Sequence, residues 1–197
     1  SNDSKIIITS SEVHNPMSSG GRAGAKASLG NLSGLASGLG FEMIDGNKFN
    51  ADKAYKDSKL CNILFAKELA QKLSINDLLI PVISWAPGLV IPKDKEGFFR
   101  YSRKYNEIGQ VAFAFIARDL FRIAVDPSIA GDILYNLSDK DIYNVKGFKY
   151  YSYSNQGFNK HQLLEKCTSQ ESQDLSLSSK LWEYTCDLLG VDTELPI

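Results

Sequence analysis

Tyr55 and Lys59 stand four positions apart in the stretch AYKDSKLCN, residues 54–62. On a helix that spacing makes them neighbours on one face. An ammonium held near a phenol stabilises phenolate and lowers the phenol's pKa, so the tyrosine becomes a proton donor or acceptor near neutral pH. The same pair also arises by chance in many helices, as a phenol packed over a lysine stem. What positions the two residues therefore decides their meaning.

Two strand-like runs flank the pair. KIIITSS (5–11) is β-branched and continuous, the pattern of a strand buried on both faces of a parallel sheet. It ends at Ser11, where open α/β sheets place ligand-binding groups, at the strand's carboxyl end. LLIPVISWAPG (78–88) is a second such run, ending in Pro87 and Gly88. A glycine there lets backbone pass close to a flat cofactor. Serine at one strand end, Pro-Gly at the next, and Tyr-x-x-x-Lys on the helix between them form an ordered set.

The intervening elements follow from periodicity. Residues 12–50 are rich in Gly, Ser and Asn with little periodicity, too long for an ordinary connection, and read as a functional insertion. From Asp52, a plausible N-cap, to about Leu73, helical spacing joins Leu60, Ile63, Leu64, Ala66, Leu69, Ala70 and Leu73. Residues 89–100 read as a loop, and roughly 101–125 as a long helix with VAFAFIARDLFRIA facing inward. GDILYNL (131–137) is a third strand candidate, followed by a polar, aromatic tail to about 177. SSKLWEYTCDLLG (178–190) predicts a Ser-capped helix ending at Gly190. Aromatic side chains in 98–105 and 143–158 suit either a ligand pocket or ordinary stacking, and Arg100, Arg103 and Lys104 either a carboxylate site or a solvated helix face. Strands alternating with helices make the class α/β.

Composition narrows the functions. At 197 residues and 43% hydrophobic, the chain builds one sizeable core, hence one domain. A net charge of −1 with interspersed signs offers no field for nucleic acid. No apolar run approaches a bilayer span, and SNDSK lacks the blocks of a secretory signal. Cys61, Cys167 and Cys186 are scattered and odd in number, which fits a reducing compartment better than a disulfide framework. His14 and His161 lie far apart, so no metal site is expected.

The ordered set Ser11, Tyr55, Lys59 and Pro87-Gly88 is the pattern of short-chain dehydrogenases/reductases. LGNLSGL (29–35), MIDG (43–46), AYKDSKLCN, FFR (98–100) and KLWEYTCDLLGV (180–191) resemble the light-dependent protochlorophyllide oxidoreductases within that superfamily. So does the separation of Ser11 from Tyr55 by 44 positions, where most of the superfamily has about a dozen. SEVHNP and WAPGLVIP are closer to cyanobacterial or algal relatives than to land-plant ones. The resemblance implies the C-terminal portion of a Rossmann-like domain, roughly the C-terminal 60% of such a protein. Its parallel sheet would carry flanking helices and lack the N-terminal nucleotide-binding strands. On this reading residues 1–197 form a single partial domain, with a family-type insertion at about 12–50 and a C-terminal extension at about 138–197.

For chemistry, the resemblance implies NADPH as hydride donor and protochlorophyllide as tetrapyrrole substrate, reduced to chlorophyllide under light. It makes Tyr55 the proton donor or pigment anchor, Lys59 the nicotinamide-ribose ligand that tunes Tyr55, and Ser11 the active-site serine. Pro87, Gly88 and the backbone of Val90 would meet the nicotinamide carboxamide. It implies a cytoplasmic or plastid-stromal location, compatible with peripheral contact with thylakoid membranes, and self-association through an exposed sheet edge. Two alternatives stay open: a non-catalytic pigment-binding homologue, and a dark short-chain dehydrogenase acting on carbonyl substrates.

Two departures qualify the resemblance. Leu89 stands where plant-type enzymes carry a cysteine after the Pro-Gly. Cys61, two positions beyond Lys59, falls on another helical face and reads as a packing thiol. The glycine-rich TGxxxGxG turn that binds nucleotide phosphates is absent from this sequence. Titration of the purified chain with NADPH is therefore expected to show no tight binding. Saturation at micromolar nucleotide would overturn the assignment of phosphate binding to a segment outside this sequence.

Overall fold

The computed structural model describes residues 4–92, 107–157 and 160–195. β1 (Ile6–Thr9) starts the order, followed by a 3₁₀ turn at Glu12–His14 and two single-turn helices, α1 (Ser19–Arg22) and α2 (Ser33–Ala36). The long helix α3 (Ala51–Ile75) leads to β2 (Val82–Ala86) and β3 (Leu89–Val90). Then come α4 (Glu107–Phe115), β4 (Ala124–Val125), α5 (Pro127–Asp139), β5 (Phe148–Asn155), β6 (His161–Glu165) and α6 (Leu175–Leu189). The fold is α/β, as the sequence predicts.

The main sheet runs β1-β2-β5-β6. β1 and β5 both lie parallel to β2, with Ile8, Ser84 and Tyr150 in one cross-strand row, and β6 closes the sheet antiparallel to β5. β2 is buried along its whole length, because helices cover both faces and strands flank both edges. β1 is only half-buried, against the expectation of burial on both faces. It is an edge strand among the described residues, so one flank lacks the neighbour that would cover it.

α3 covers one face. Its Ala66, Ala70 and Leu73 pack on Val82 with Ile6 and Ile8, and Ile63 packs on Ala86 and Tyr150. The helix starts one turn's fraction earlier than Asp52 would set it. Asn50 is the cap, its side chain accepting from Lys53 N at 3.0 Å. α5 covers the opposite face with Ile133 and Leu137 against Ile83, Trp85 and Tyr151. This element is the predicted strand GDILYNL, and the prediction fails for an identifiable reason. Asp126 caps the segment by accepting from Ser128 N at 3.0 Å, Pro127 opens the first turn, and Ile133 and Leu137 share the buried side at i, i+4. A short apolar run does not discriminate strand from helix until its caps are weighed.

Further differences concern the central and C-terminal regions. The helix expected over 101–125 is described from Glu107, widens into a π-type turn at Ile116–Leu120, and gives way to β4. Residues 101–106 lie outside the described residues, as do Phe98–Lys104 of the aromatic and basic stretch. Its apolar side is not inward: Ala114 and Ala117 are buried, whereas Val111, Phe113, Phe115, Ile116, Leu120 and Phe121 are exposed. The aromatic tail supplies β5, an interior strand. Its alternation puts Tyr150, Ser152 and Ser154 toward α3 and Tyr151 and Tyr153 toward α5. α6 ends at Gly190 as predicted, but its cap is Asp174, which accepts from Leu177 N at 3.1 Å.

The stretch of little periodicity, read from the sequence as a functional insertion, packs into the core. Ala27, Leu29, Leu32 and Leu35 form one cluster with Leu60 and Leu64 of α3 and Leu177 and Leu181 of α6. Gly34 is required there, since an added Cβ would lie 2.0 Å from Met43 O. Leu64, fully buried, joins all three segments. Leu64→Ala is expected to cost about 3 kcal/mol of unfolding free energy in urea titration, from lost burial plus a residual cavity.

Candidate active site

The site is built where the end of β1 meets α3. Ser10 N donates to Trp85 O at 2.8 Å, the last rung before the chain leaves the sheet. Trp85 Nε1 donates to Thr9 Oγ1 at 3.0 Å. From α3, Asn62 Nδ2 donates to Thr9 O at 3.0 Å, and Ser10 Oγ donates to the Lys59 carbonyl at 2.9 Å. The strand end is therefore bolted to the helix turn that carries Lys59. Ser11 follows at once and caps the 3₁₀ turn, accepting from Val13 N.

This arrangement brings Ser11 and Tyr55 together, and their side chains share a hydrogen bond. Lys59 Nζ lies over the Tyr55 ring, 5.5 Å from its centroid, a cation–π geometry. The electrostatics depart from the sequence expectation of a lowered phenol pKa. Burial raises the Tyr55 pKa above its ordinary value, and the Ser11 hydrogen bond only partly opposes it. Tyr55 is thus a protonated phenol throughout the neutral range, a donor rather than a base.

Pro87 and Gly88 follow β2 on the same rim of the sheet. Gly88 has φ of +83°, and a Cβ would come 2.7 Å from Tyr153 O. Glycine is thus demanded by the backbone of β5, whatever else approaches it. Val90 lies in the β3–β4 pair, where Ile91 N donates to Val125 O. Strand alternation turns the peptide groups of Val90 the other way, away from β4. Leu89 packs with Ile91, Ala114 and Ala117.

The remaining polar residues of AYKDSKLCN have other work. Lys56 and Asp57 are buried, at 3% and 2% exposure. Lys56 Nζ donates to the carbonyls of Ala23 and Ala25 and pairs with Asp52 at 3.0 Å. Asp57 accepts from Ser28 N at 2.9 Å and pairs with Lys53, which also reaches Asp45. These charges fasten the stretch between β1 and α3 onto the helix, and their buried charge is satisfied by backbone partners. Cys61 packs against the α3–α6 core, where burial pushes its thiol up to about 12. It is a packing residue, as its helical face predicts.

Sequence reasoning missed two residues beside the site. Glu12 accepts from Ser152 Oγ at 2.5 Å and from Lys166 Nζ at 2.9 Å. His14 is buried at 1% exposure and bonded to Ser11. Glu12's two partners and His14's second partner, Ser169, lie 140 to 155 positions away, so spacing carries no signal of them.

Comparison with known proteins shows what the chain as a whole is similar to. No family model matches the chain. Protochlorophyllide reductase B of Oryza sativa is 29% identical over 95% of this chain and 44% of its own length. The Pisum sativum protochlorophyllide reductase is 30% identical over 95% of this chain and 45% of its length. For the Avena sativa protein the figures are 30%, 95% and 58%. The chain is a relative of the protochlorophyllide reductases. It spans less than half the length of most of these relatives, and nearly all of its own length matches them. Among solved structures, an uncharacterized protein from Mycobacterium paratuberculosis superposes with a TM-score of 0.57 at 15% identity. That match covers 98% of this chain and 52% of the other, and it shows the shared fold.

The raised Tyr55 pKa is directly measurable. With nine tyrosines in the chain, the ultraviolet titration of the parent minus that of Tyr55→Phe isolates one phenol. Its midpoint is expected above the ordinary value of about 10, and Ser11→Ala is expected to move it higher. Because the folded-state pKa is raised, the associated stability is fully present below about pH 10 and is lost as pH rises toward the folded value.

Proposed function

We propose that this chain carries the proton-donating part of an NADPH-dependent, light-driven reductase that converts protochlorophyllide to chlorophyllide. The observation that carries the reading is the union of Ser11, Tyr55 and Lys59 at the carboxyl rim of a parallel sheet, beside Pro87 and Gly88. The relatives' names supply the substrate class, and their chloroplastic labels support a plastid-stromal location. Among the described residues no helix is long and apolar enough to cross a membrane.

The donor set suits the nicotinamide end of a dinucleotide. Lys59 offers an ammonium to ribose hydroxyls, and Val90 turns backbone groups away from β4, fit for a carboxamide. When bound, the cofactor supplies hydride to one carbon of the pigment's D-ring double bond. Tyr55, held protonated by burial, delivers the proton to the neighbouring carbon. The phenolate left behind is stabilised by the Ser11 hydrogen bond. Leu89 has no proton to give, which leaves this step to Tyr55 or to water.

The test is illumination of the chain with NADPH and protochlorophyllide, followed by absorbance. A second arm adds the nucleotide-binding half of a relative. A red-shifted chlorophyllide band in either arm is expected, and Tyr55→Phe is expected to slow it at least about 100-fold. Absence of the band from both arms overturns the reading, and pigment binding without reduction would replace it with the pigment-binding alternative.

A further inference from the structure

The 3₁₀ turn after Ser11 is held from both sides. Glu12 reaches Ser152 and Lys166, and Lys166 Nζ also donates to Ser154 Oγ at 2.6 Å. His14 occupies the inner side. Its Nδ1 lies 2.6 Å from Ser11 O, and Ser169 N lies 3.3 Å from its Nε2. A carbonyl only accepts and a backbone N–H only donates, so Nδ1 must carry the hydrogen and Nε2 must be bare. The ring is therefore a neutral imidazole with one permitted tautomer. It stands edge-on to Tyr150, with centroids 5.1 Å apart and an 81° angle between planes.

We propose that His14 is a positioning residue of the Ser11–Tyr55 pair, transmitting the placement of the segment around Ser169 to Ser11 through a fixed-tautomer bridge. The Ser11 carbonyl takes hydrogen bonds from both the backbone and the ring of His14. Losing the ring bond frees the peptide that orients the Ser11 side chain toward Tyr55. The groups facing the ring are Glu12 on its own turn, Lys67 on α3, Tyr150 on β5 and Ser169 in the segment after β6. Burial, with Lys67 adding to it, lowers the ring's pKa against the opposing pull of Ser11 and Glu12. Protonation would set two N–H donors against each other at Ser169. The bridge is thus intact above the ordinary histidine value of about 6.5 and fails as pH falls through the lowered folded value. The catalytic consequence rests on the reductase reading. The structural claim does not.

The experiment follows two signals in the 197-residue chain. Two-bond ¹⁵N correlations of the His14 ring are expected to show hydrogen on Nδ1 at pH 7. The Tyr55 phenol is then titrated in the parent, Ser11→Ala, His14→Asn, His14→Gln and His14→Phe. His14→Phe keeps the aromatic contact but loses both bonds, and it is expected to raise the Tyr55 midpoint by roughly half a unit or more, in the direction of Ser11→Ala. His14→Asn, whose amide sits at the Nδ1 position, is expected to stay near the parent, while His14→Gln shifts as Phe does. An Nε2–H ring, or a folded His14→Phe with the parent's Tyr55 midpoint, overturns the proposal. If His14→Phe does not fold, equal midpoints for Asn and Gln overturn it. NADPH binding by the parent is scored separately, so failure of the reductase reading leaves the Tyr55 comparison standing.

Discussion

Everything at the rim depends on the bond between the Ser10 hydroxyl and the Lys59 carbonyl, seconded by Asn62 on Thr9 O. A strand and a helix that pack through aliphatic side chains slide relative to one another at little cost, because such contacts lack direction. Two hydrogen bonds at the strand's last residues fix both translation and rotation. They do so at the turn that presents Lys59, one turn from Tyr55. The geometry of the site is thus set by backbone carbonyls.

The same economy governs the helix face. Burial raises the Tyr55 pKa, and on the same helix the stretch between β1 and α3 is held down by Lys56, Asp57 and Lys53. Buried charge is ordinarily a liability. Here each charge is met by peptide groups and an opposite partner, so the liability becomes a directional fastening. The polar residues between Tyr55 and Lys59 are therefore what fastens this stretch to α3.

How much of this was legible in the sequence follows from range. β1, β2 and α3 have strong periodicity and local punctuation, and Ser11, Tyr55 and Lys59 meet as their order implies. α5 was misread because its burial requires only two residues, Ile133 and Leu137, within a run that also alternates plausibly as a strand. β5 was hidden by its serines, which are polar in composition yet buried in place, Ser152 against Glu12. The Tyr55 pKa was misjudged because Lys59 sits over the ring while burial acts on the hydroxyl, and spacing distinguishes neither. His14 was invisible for the simplest reason: its meaning lies in Ser169, 155 positions on.

That distance has a consequence in time. The sheet's parallel pairs join residues far apart in the chain, β1 to β2 and β2 to β5, and such pairings close slowly because loop entropy must be overcome before contacts reward it. A ribosome delivers Ser11 and Tyr55 long before β5 or Ser169 exists. The contact of His14 with Ser169 therefore forms only after the last third of the chain has been made, whereas the Ser10–Lys59 bond needs only the first.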